Sequence, residues 1–164
     1  MEIAYALLLL GSTVFLQGQY ASARSFIEEA LALLIEMGDR RGIAQGLHGL
    51  GVLTLLEDDH ATARTLYEES LALCKKINYL WPMIPSCLEG LAIAVFAQGD
   101  PAWAARLWGR AESVRTAIGA SSPAIVQTLS KQAMAAARFQ LREDTFTAIW
   151  AEGRTMTLEQ VLEI

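Results

Sequence analysis

Apolar side chains recur along the first part of the chain at the three- and four-residue intervals that place them on one face of an α-helix. Leu7, Leu10 and Val14 form one such stripe, and a second stripe lies within residues 23–34. The polar segment between them contains Gly18, which suits the left-handed conformation in which many helices end. The pattern therefore predicts two helices joined by a short turn.

This predicted helix pair occurs three times in the sequence, and each occurrence is called a unit below. Residues 19–24 (QYASAR) return 40 positions later as residues 59–64 (DHATAR). After a further 41 positions, residues 100–104 (DPAWA) stand at the corresponding place. The second and third copies begin with Asp, which can cap the helix that follows. The repetition predicts three successive helix pairs.

Small residues recur at fixed places in the three units. Two antiparallel helices can approach closely only where their side chains are short, so these places predict the contacts between the helices of each unit. The larger Ile27, Tyr67 and Trp108 are expected to fill the space beneath. The small residues are Gly11, Ala23, Gly51, Ala63, Ala92 and Ala104.

The pattern changes after residue 119, where further helices are expected. One helix is predicted over about 123–141, and a second over about 143–151 that ends before Gly153. Thr157 with Gln160 three positions later is a capping box that begins a final short helix. Terminal repeats of a stacked array need a cap. These helices are therefore predicted to cover the apolar face that the third unit leaves exposed.

Together the recurring positions resemble the tetratricopeptide repeat, whose pattern has a large residue, a Leu-Gly pair, an Ala, an aromatic residue and a second Ala. The spacing exceeds the roughly 34 residues of that family, and its closing proline is absent, which implies longer helices. The matching residues are Leu7, Leu10, Gly11, Ala23, Ile27 and Ala30 in the first unit, Leu47, Leu50, Gly51, Ala63, Tyr67 and Ser70 in the second, and Leu88, Leu91, Ala92, Ala104, Trp108 and Ala111 in the third.

The resemblance implies an all-α fold, an α-α superhelix of antiparallel helix hairpins with a C-terminal helical cap. Such a module would bind a protein or peptide or sense an effector. A small-molecule inducer is a further candidate ligand. The expected divisions are three hairpins at about 1–38, 41–78 and 82–118, and capping helices of the same domain at 119–164.

Three segments are similar to the C-terminal end of large bacterial regulators. They are residues 105–112 (ARLWGRAE), 118–119 (IG) and 146–160 (FTAIWAEGRTMTLEQ). Those regulators carry an ATPase of the STAND signal-transduction class, a tetratricopeptide array and often a LuxR-type DNA-binding or cyclase domain. The resemblance implies that the chain is part of a signalling or transcription regulator, and it transfers no catalytic residue. Cys74 and Cys87 are too few and too widely spaced for a disulfide framework, which indicates a reduced, cytoplasmic setting.

The amino-acid composition and charge argue against several classes of function. Hydrophobic residues make up 53% of the chain and charged residues 19%, so a packed core is expected. The net charge is -5 and the basic residues are scattered, which argues against direct contact with nucleic acid. The apolar opening run, residues 3–16, is shorter than a membrane span needs. No catalytic, metal or cofactor motif is present. We therefore expect neither an enzyme nor a membrane protein.

The candidate binding residues come from the first helix of each unit. In the resembling fold these helices line a concave groove with the side chains that do not contact their own second helix. The alternative is that these side chains face solvent or neighbouring helices and bind nothing, and the sequence leaves both interpretations open. The candidates are Tyr5, Leu8 and Ser12 in the first unit, Gln45, His48 and Val52 in the second, and Ser86, Glu89 and Ile93 in the third.

Two other surfaces are candidates for contacts. Tyr79 and Trp81 lie in an aromatic, proline-bearing loop that could anchor a partner, although the same loop could simply pack between helices. The first helix has no preceding unit to cover it, so a homo-oligomer formed through this helix is possible. A structural or self-associating scaffold is therefore the alternative to a binding module.

Overall fold

The computed structural model describes residues 1–79 and 82–162, and every regular element within them is an α-helix. Successive helices pack as antiparallel pairs, α1 with α2, α3 with α4, and α5 with α6. The predicted all-α fold is confirmed. The bounds are α1 Glu2–Leu16, α2 Tyr20–Met37, α3 Arg40–Leu56, α4 His60–Lys76, α5 Ile84–Ala97, α6 Pro101–Ile118, α7 Ala124–Leu141, α8 Glu143–Thr155 and α9 Leu158–Leu162.

Local signals in the sequence set the turns between these helices. Gly18 and Gly99 follow α1 and α5 with φ angles of 76° and 95°, a left-handed conformation that glycine adopts without steric cost. Asp39, Asp59 and Asp100 each accept a hydrogen bond from a backbone N–H in the first turn of the next helix. Such caps satisfy donors that a helix start leaves unpaired. The predicted turn chemistry is confirmed.

The six predicted small residues are all buried between helices. A Cβ atom added to Gly51 would lie 2.8 Å from Cζ of Tyr67, too close for the ring to stay in place. The Tyr67 side chain is fully buried and also lies against Gly90 of α5. The ring of Tyr67 therefore joins the second helix pair to the third, and the missing side chains at the two glycines create its space.

The C-terminal helices cover the third pair from two sides. α7 packs against α5, and α8 packs against α6. The prediction that Gly153 stops a helix at about residue 151 is wrong, because α8 continues to Thr155. Gly153 instead lies against the backbone of Arg106, and Gly109 of α6 lies against the backbone of Trp150. Both glycines allow α6 and α8 to touch backbone to backbone.

The crossing of α6 and α8 at these two glycines provides a test of close helix packing. Alanine normally stabilises a helix interior by about 1 kcal/mol relative to glycine. At Gly109, however, a Cβ atom would overlap the carbonyl oxygen of Trp150, which cannot move independently. We expect Gly109→Ala to lower the free energy of unfolding by about 1–3 kcal/mol in urea titrations.

The matched control is Gly49→Ala in α3. A Cβ atom there would lie 3.0 Å from Cδ1 of Ile27, the far end of a flexible side chain that can shift. This substitution should therefore be neutral or stabilising. Equal stability of the two variants would contradict the assignment of the α6–α8 crossing.

Candidate functional site

The first helices of the first two pairs enclose a groove with a volume of about 440 Å³. Most of its wall comes from α1 and α3, and single residues come from α2, from the segment before α5 and from the start of α7. The thirteen lining residues, which define the groove below, are Tyr5, Leu8, Leu9, Ser12, Phe15, Leu16, Ile27, Gln45, His48, Gly49, Val52, Met83 and Pro123.

The groove contains the candidates from the first two units but not those from the third. The residues brought together are Tyr5, Leu8, Ser12, Gln45, His48 and Val52. Ser86, Glu89 and Ile93 are buried and do not line it. The physical reasons are that Ser86 contacts His48 of α3 and that α7 packs against α5. Whether any of the nine residues contacts a ligand remains a prediction.

The groove surface is apolar and carries no charge. None of its lining residues is Asp, Glu, Lys or Arg. Leu9 and Leu16 are 70% and 84% exposed, an unusual degree of exposure for large aliphatic side chains that line a concavity. Ser12, Gln45 and Tyr5 place polar atoms among these side chains. Such a surface suits an apolar ligand that also makes a few hydrogen bonds.

Tyr5 is held at the groove wall by Asp39, which precedes α3. The Tyr5 hydroxyl donates a hydrogen bond of 2.8 Å to Oδ2 of Asp39. Burial, this hydrogen bond and the carboxylate charge together raise the pKa of Tyr5 to about 12. Burial alone would raise the pKa of Asp39, but hydrogen bonds from the Gly42 N–H and from Tyr5 outweigh it and lower the pKa. The two residues therefore connect α1 to the start of α3.

His48 lies at the back of the groove in a buried position. Its Nε2 is 2.8 Å from Oγ of Ser86, which links α3 to α5. Burial lowers the pKa of His48 to about 4, because the charged imidazolium cannot be solvated there. The ring is neutral at pH 7, so the groove stays uncharged.

The predicted aromatic loop is only partly within the described residues. Tyr79 is half-buried, joins the core, and lies under the guanidinium of Arg41, whose Cζ is 4.9 Å from the ring centroid. Trp81 lies outside the described residues. The contact of Tyr79 with Arg41 holds the end of α4 against the start of α3.

Several groove residues were missed by sequence reasoning. Leu9 and Leu16 belong to the same helix as the predicted Tyr5, Leu8 and Ser12. They lie four positions after Tyr5 and Ser12, and this helical spacing was the available signal. Met83 and Pro123 reach the groove from distant parts of the chain. No local pattern could place them there.

The first two helix pairs match a known protein family. Residues 2–76 match the family model described as Tetratricopeptide repeat. This part of the chain is a tetratricopeptide repeat domain. The match covers α1 to α4, and the wall of the groove is built mainly from the first helices of these two tetratricopeptide repeats. No curated protein matches the chain.

Two further properties are read from the structure around the tetratricopeptide repeats. Within residues 1–79 and 82–162, no helix is long and apolar enough to cross a bilayer. In the same residues, no three His, Cys, Asp or Glu side chains are grouped as metal ligands. Cys74 and Cys87 are free and buried, and burial raises the pKa of both thiols.

Proposed function

We propose that this chain is a protein-interaction module that holds an uncharged, apolar segment of a partner protein in the groove. The observation that carries the proposal is a concave surface of thirteen residues without any charged side chain, on which Leu9 and Leu16 are exposed. Tetratricopeptide repeat domains generally bind proteins or peptides. The partner segment should therefore be rich in Leu, Ile, Val, Phe or Met and poor in Asp and Glu.

The energetics favour such a segment over a charged one. Each Å² of apolar surface removed from water contributes roughly 25 cal/mol, and both leucines have most of their surface available. A charged side chain would lose hydration in the groove without meeting an opposite charge. The Gln45 amide makes no hydrogen bond to another described residue, so it can donate to and accept from a peptide backbone.

We also propose the setting in which this module works. The sequence of residues 105–112 and 146–160 supports a place within a cytoplasmic multidomain regulator of signalling or transcription. In that setting a bound partner or inducer would change how neighbouring domains are held, and this chain itself would catalyse no reaction. The complete reading frame of the gene tests this part, and an upstream region without an ATPase or DNA-binding domain would contradict it.

The groove can be tested without knowing the partner. We expect a random peptide display library to yield uncharged, apolar sequences on the wild-type protein. Leu9→Glu should weaken the binding of the selected peptides by at least about tenfold, or about 1.4 kcal/mol, because it places a charge inside the apolar groove. Fluorescence anisotropy with labelled peptides measures the dissociation constants.

Ile3→Glu is the matched control for this substitution. Ile3 is 71% exposed and lies on the same helix, but it does not line the groove. This variant should bind the peptides like the wild type, and both variants should keep the wild-type melting temperature. Peptides that bind Leu9→Glu as tightly as the wild type, or that are predominantly acidic, would contradict the proposed function.

Self-association is the alternative function, and one observation favours it. The apolar side chains of Ile3 and Leu10, seven positions apart on one face of α1, are both exposed. A second copy that covers them would form a dimer through the first helix. Sedimentation over a concentration series separates the two functions. A dimer that Ile3→Glu dissociates would favour the alternative, and a monomer at all concentrations would reject it.

A further inference from the structure

A second pocket, separate from the groove, lies where α5, α6, α7 and α8 meet. Its volume is about 390 Å³, within the range of small-molecule sites in proteins. Seven of its ten lining residues are polar or charged, although most of the surface that faces the pocket is apolar, as in the groove. Its ten lining residues are Glu89, Trp108, Glu112, Arg115, Ser121, Gln127, Ser130, Lys131, Met134 and Trp150.

Three of these residues bring buried polar atoms without a hydrogen-bond partner among the described residues. The atoms are Oε2 of Glu89, Nε1 of Trp108 and Oγ of Ser130, and their residues are 5%, 3% and 5% exposed. Buried polar atoms are nearly always hydrogen-bonded, because an unpaired one loses its hydration without compensation. An acceptor, a donor and a hydroxyl group of residues that line one pocket therefore lack a partner, and a ligand that turns these side chains toward the pocket would supply it.

The charges around the pocket balance. The Arg115 guanidinium pairs with Oε1 of Glu89 and also donates to Oε2 of Glu112 at 2.6 Å. Lys131 supplies a second positive charge on the exposed side. Two carboxylates thus face two cations. A ligand with a net charge would unbalance this arrangement, whereas a ligand without one would not.

We propose that the second pocket binds a small organic molecule without net charge, which donates a hydrogen bond to Glu89 and accepts one from the Trp108 indole N–H. Ser130 supplies a third hydrogen bond, and Met134 and Trp150 contact its apolar part. A neutral polyol or amide and a zwitterionic amino acid share this chemistry. The inference is independent of the groove and of any partner peptide.

Indole N–H resonances of the ¹⁵N-labelled protein provide the test. The probes are glycerol, glucose, acetamide, serine and glutamine at millimolar concentrations, with glutamate as the charged counterpart of glutamine. We expect the Trp108 resonance, assigned by its loss in Trp108→Phe, to shift saturably with at least one uncharged or zwitterionic probe. The Trp103 resonance is the internal control, because its N–H already donates to the Val161 carbonyl at 2.9 Å.

Two variants separate binding from structural effects. Ser130→Ala removes one hydroxyl from the pocket and should weaken the affinity for the probe about fivefold. Thr128→Ala, on the same helix but with its hydroxyl bonded to the Ala124 carbonyl, should leave it unchanged. Glutamate should bind more weakly than glutamine. The proposal is overturned if no probe moves Trp108, if Trp103 moves in parallel, or if Ser130→Ala titrates like the wild type. A pocket that holds only water would give the first of these results.

Discussion

Tyr67→Ala is expected to lower the free energy of unfolding by about 3–5 kcal/mol, the range for removing a large buried aromatic side chain. The ring is fully buried and fills the space left by Gly51 of α3 and Gly90 of α5. The surrounding helices would relax only partially into this space, so a cavity would remain. Thermal unfolding followed by circular dichroism should give a melting temperature lower by roughly 10 °C.

Tyr67→Phe is the control for this substitution. The Tyr67 hydroxyl has no hydrogen-bond partner among the described residues. Its removal keeps the ring and should change the free energy of unfolding by less than about 1 kcal/mol. If Tyr67→Ala were as stable as Tyr67→Phe, the contact between the second and third helix pairs would be assigned wrongly.

Unfolding should also depend on pH through His48. Burial lowers the pKa of this residue from 6.5 to about 4 in the folded chain. Below pH 6.5 the unfolded chain binds a proton that the folded chain does not, so stability falls as pH decreases from 6.5 to about 4. At 1.36 kcal/mol per pH unit, the loss amounts to about 3 kcal/mol at pH 4. Above pH 7 this contribution is constant.

Comparison with His48→Gln isolates this contribution from that of the carboxylates. Glutamine keeps a polar group near Ser86 but binds no proton in this range. Urea unfolding at pH 7 and pH 4 should show a loss for the wild type that exceeds the loss for His48→Gln by about 3 kcal/mol. Identical losses would mean that at pH 4 the folded chain binds a proton at His48 as readily as the unfolded chain does, so that His48 is not buried as described.

The helix pairs could be predicted from the sequence because their causes are local and repeated. Helical spacing of apolar residues, the caps at Asp59 and Asp100, and the glycine turns act within a few residues of each other. Gly51 and Ala63 recur in register with Gly11 and Ala23, so one packing rule accounts for all copies. Repetition thus supplied the evidence that a single helix pair would lack.

For the third unit, the sequence could not show that the candidate binding residues would lie outside the groove. Ser86, Glu89 and Ile93 occupy the positions that face the groove in the first two pairs, yet they do not line it in the third. Ser86 contacts His48 of α3, and α5 packs against α7, which lies more than thirty residues later and does not follow the repeat. Local patterns predict a helix there but not the surface on which it docks.

The C-terminal arrangement has one local signal in the sequence. Gly153 predicts a helix stop, yet it lies within a helical pattern that continues toward the capping box at Thr157. An isolated glycine inside a helical pattern costs stability, and a packing contact can be the reason for it. Gly109 on α6 is its counterpart. The pair of glycines could have predicted that α6 and α8 cross.

The central claim is that the groove between α1 and α3 holds an uncharged, apolar segment of a partner. The most direct measurement is the set of intermolecular nuclear Overhauser effects between a display-selected peptide and the methyl groups of the labelled protein. We predict contacts from apolar peptide side chains to Leu8, Leu9 and Val52. Contacts confined to methyl groups of α2, α4 or α6, with none in the groove, would contradict the claim.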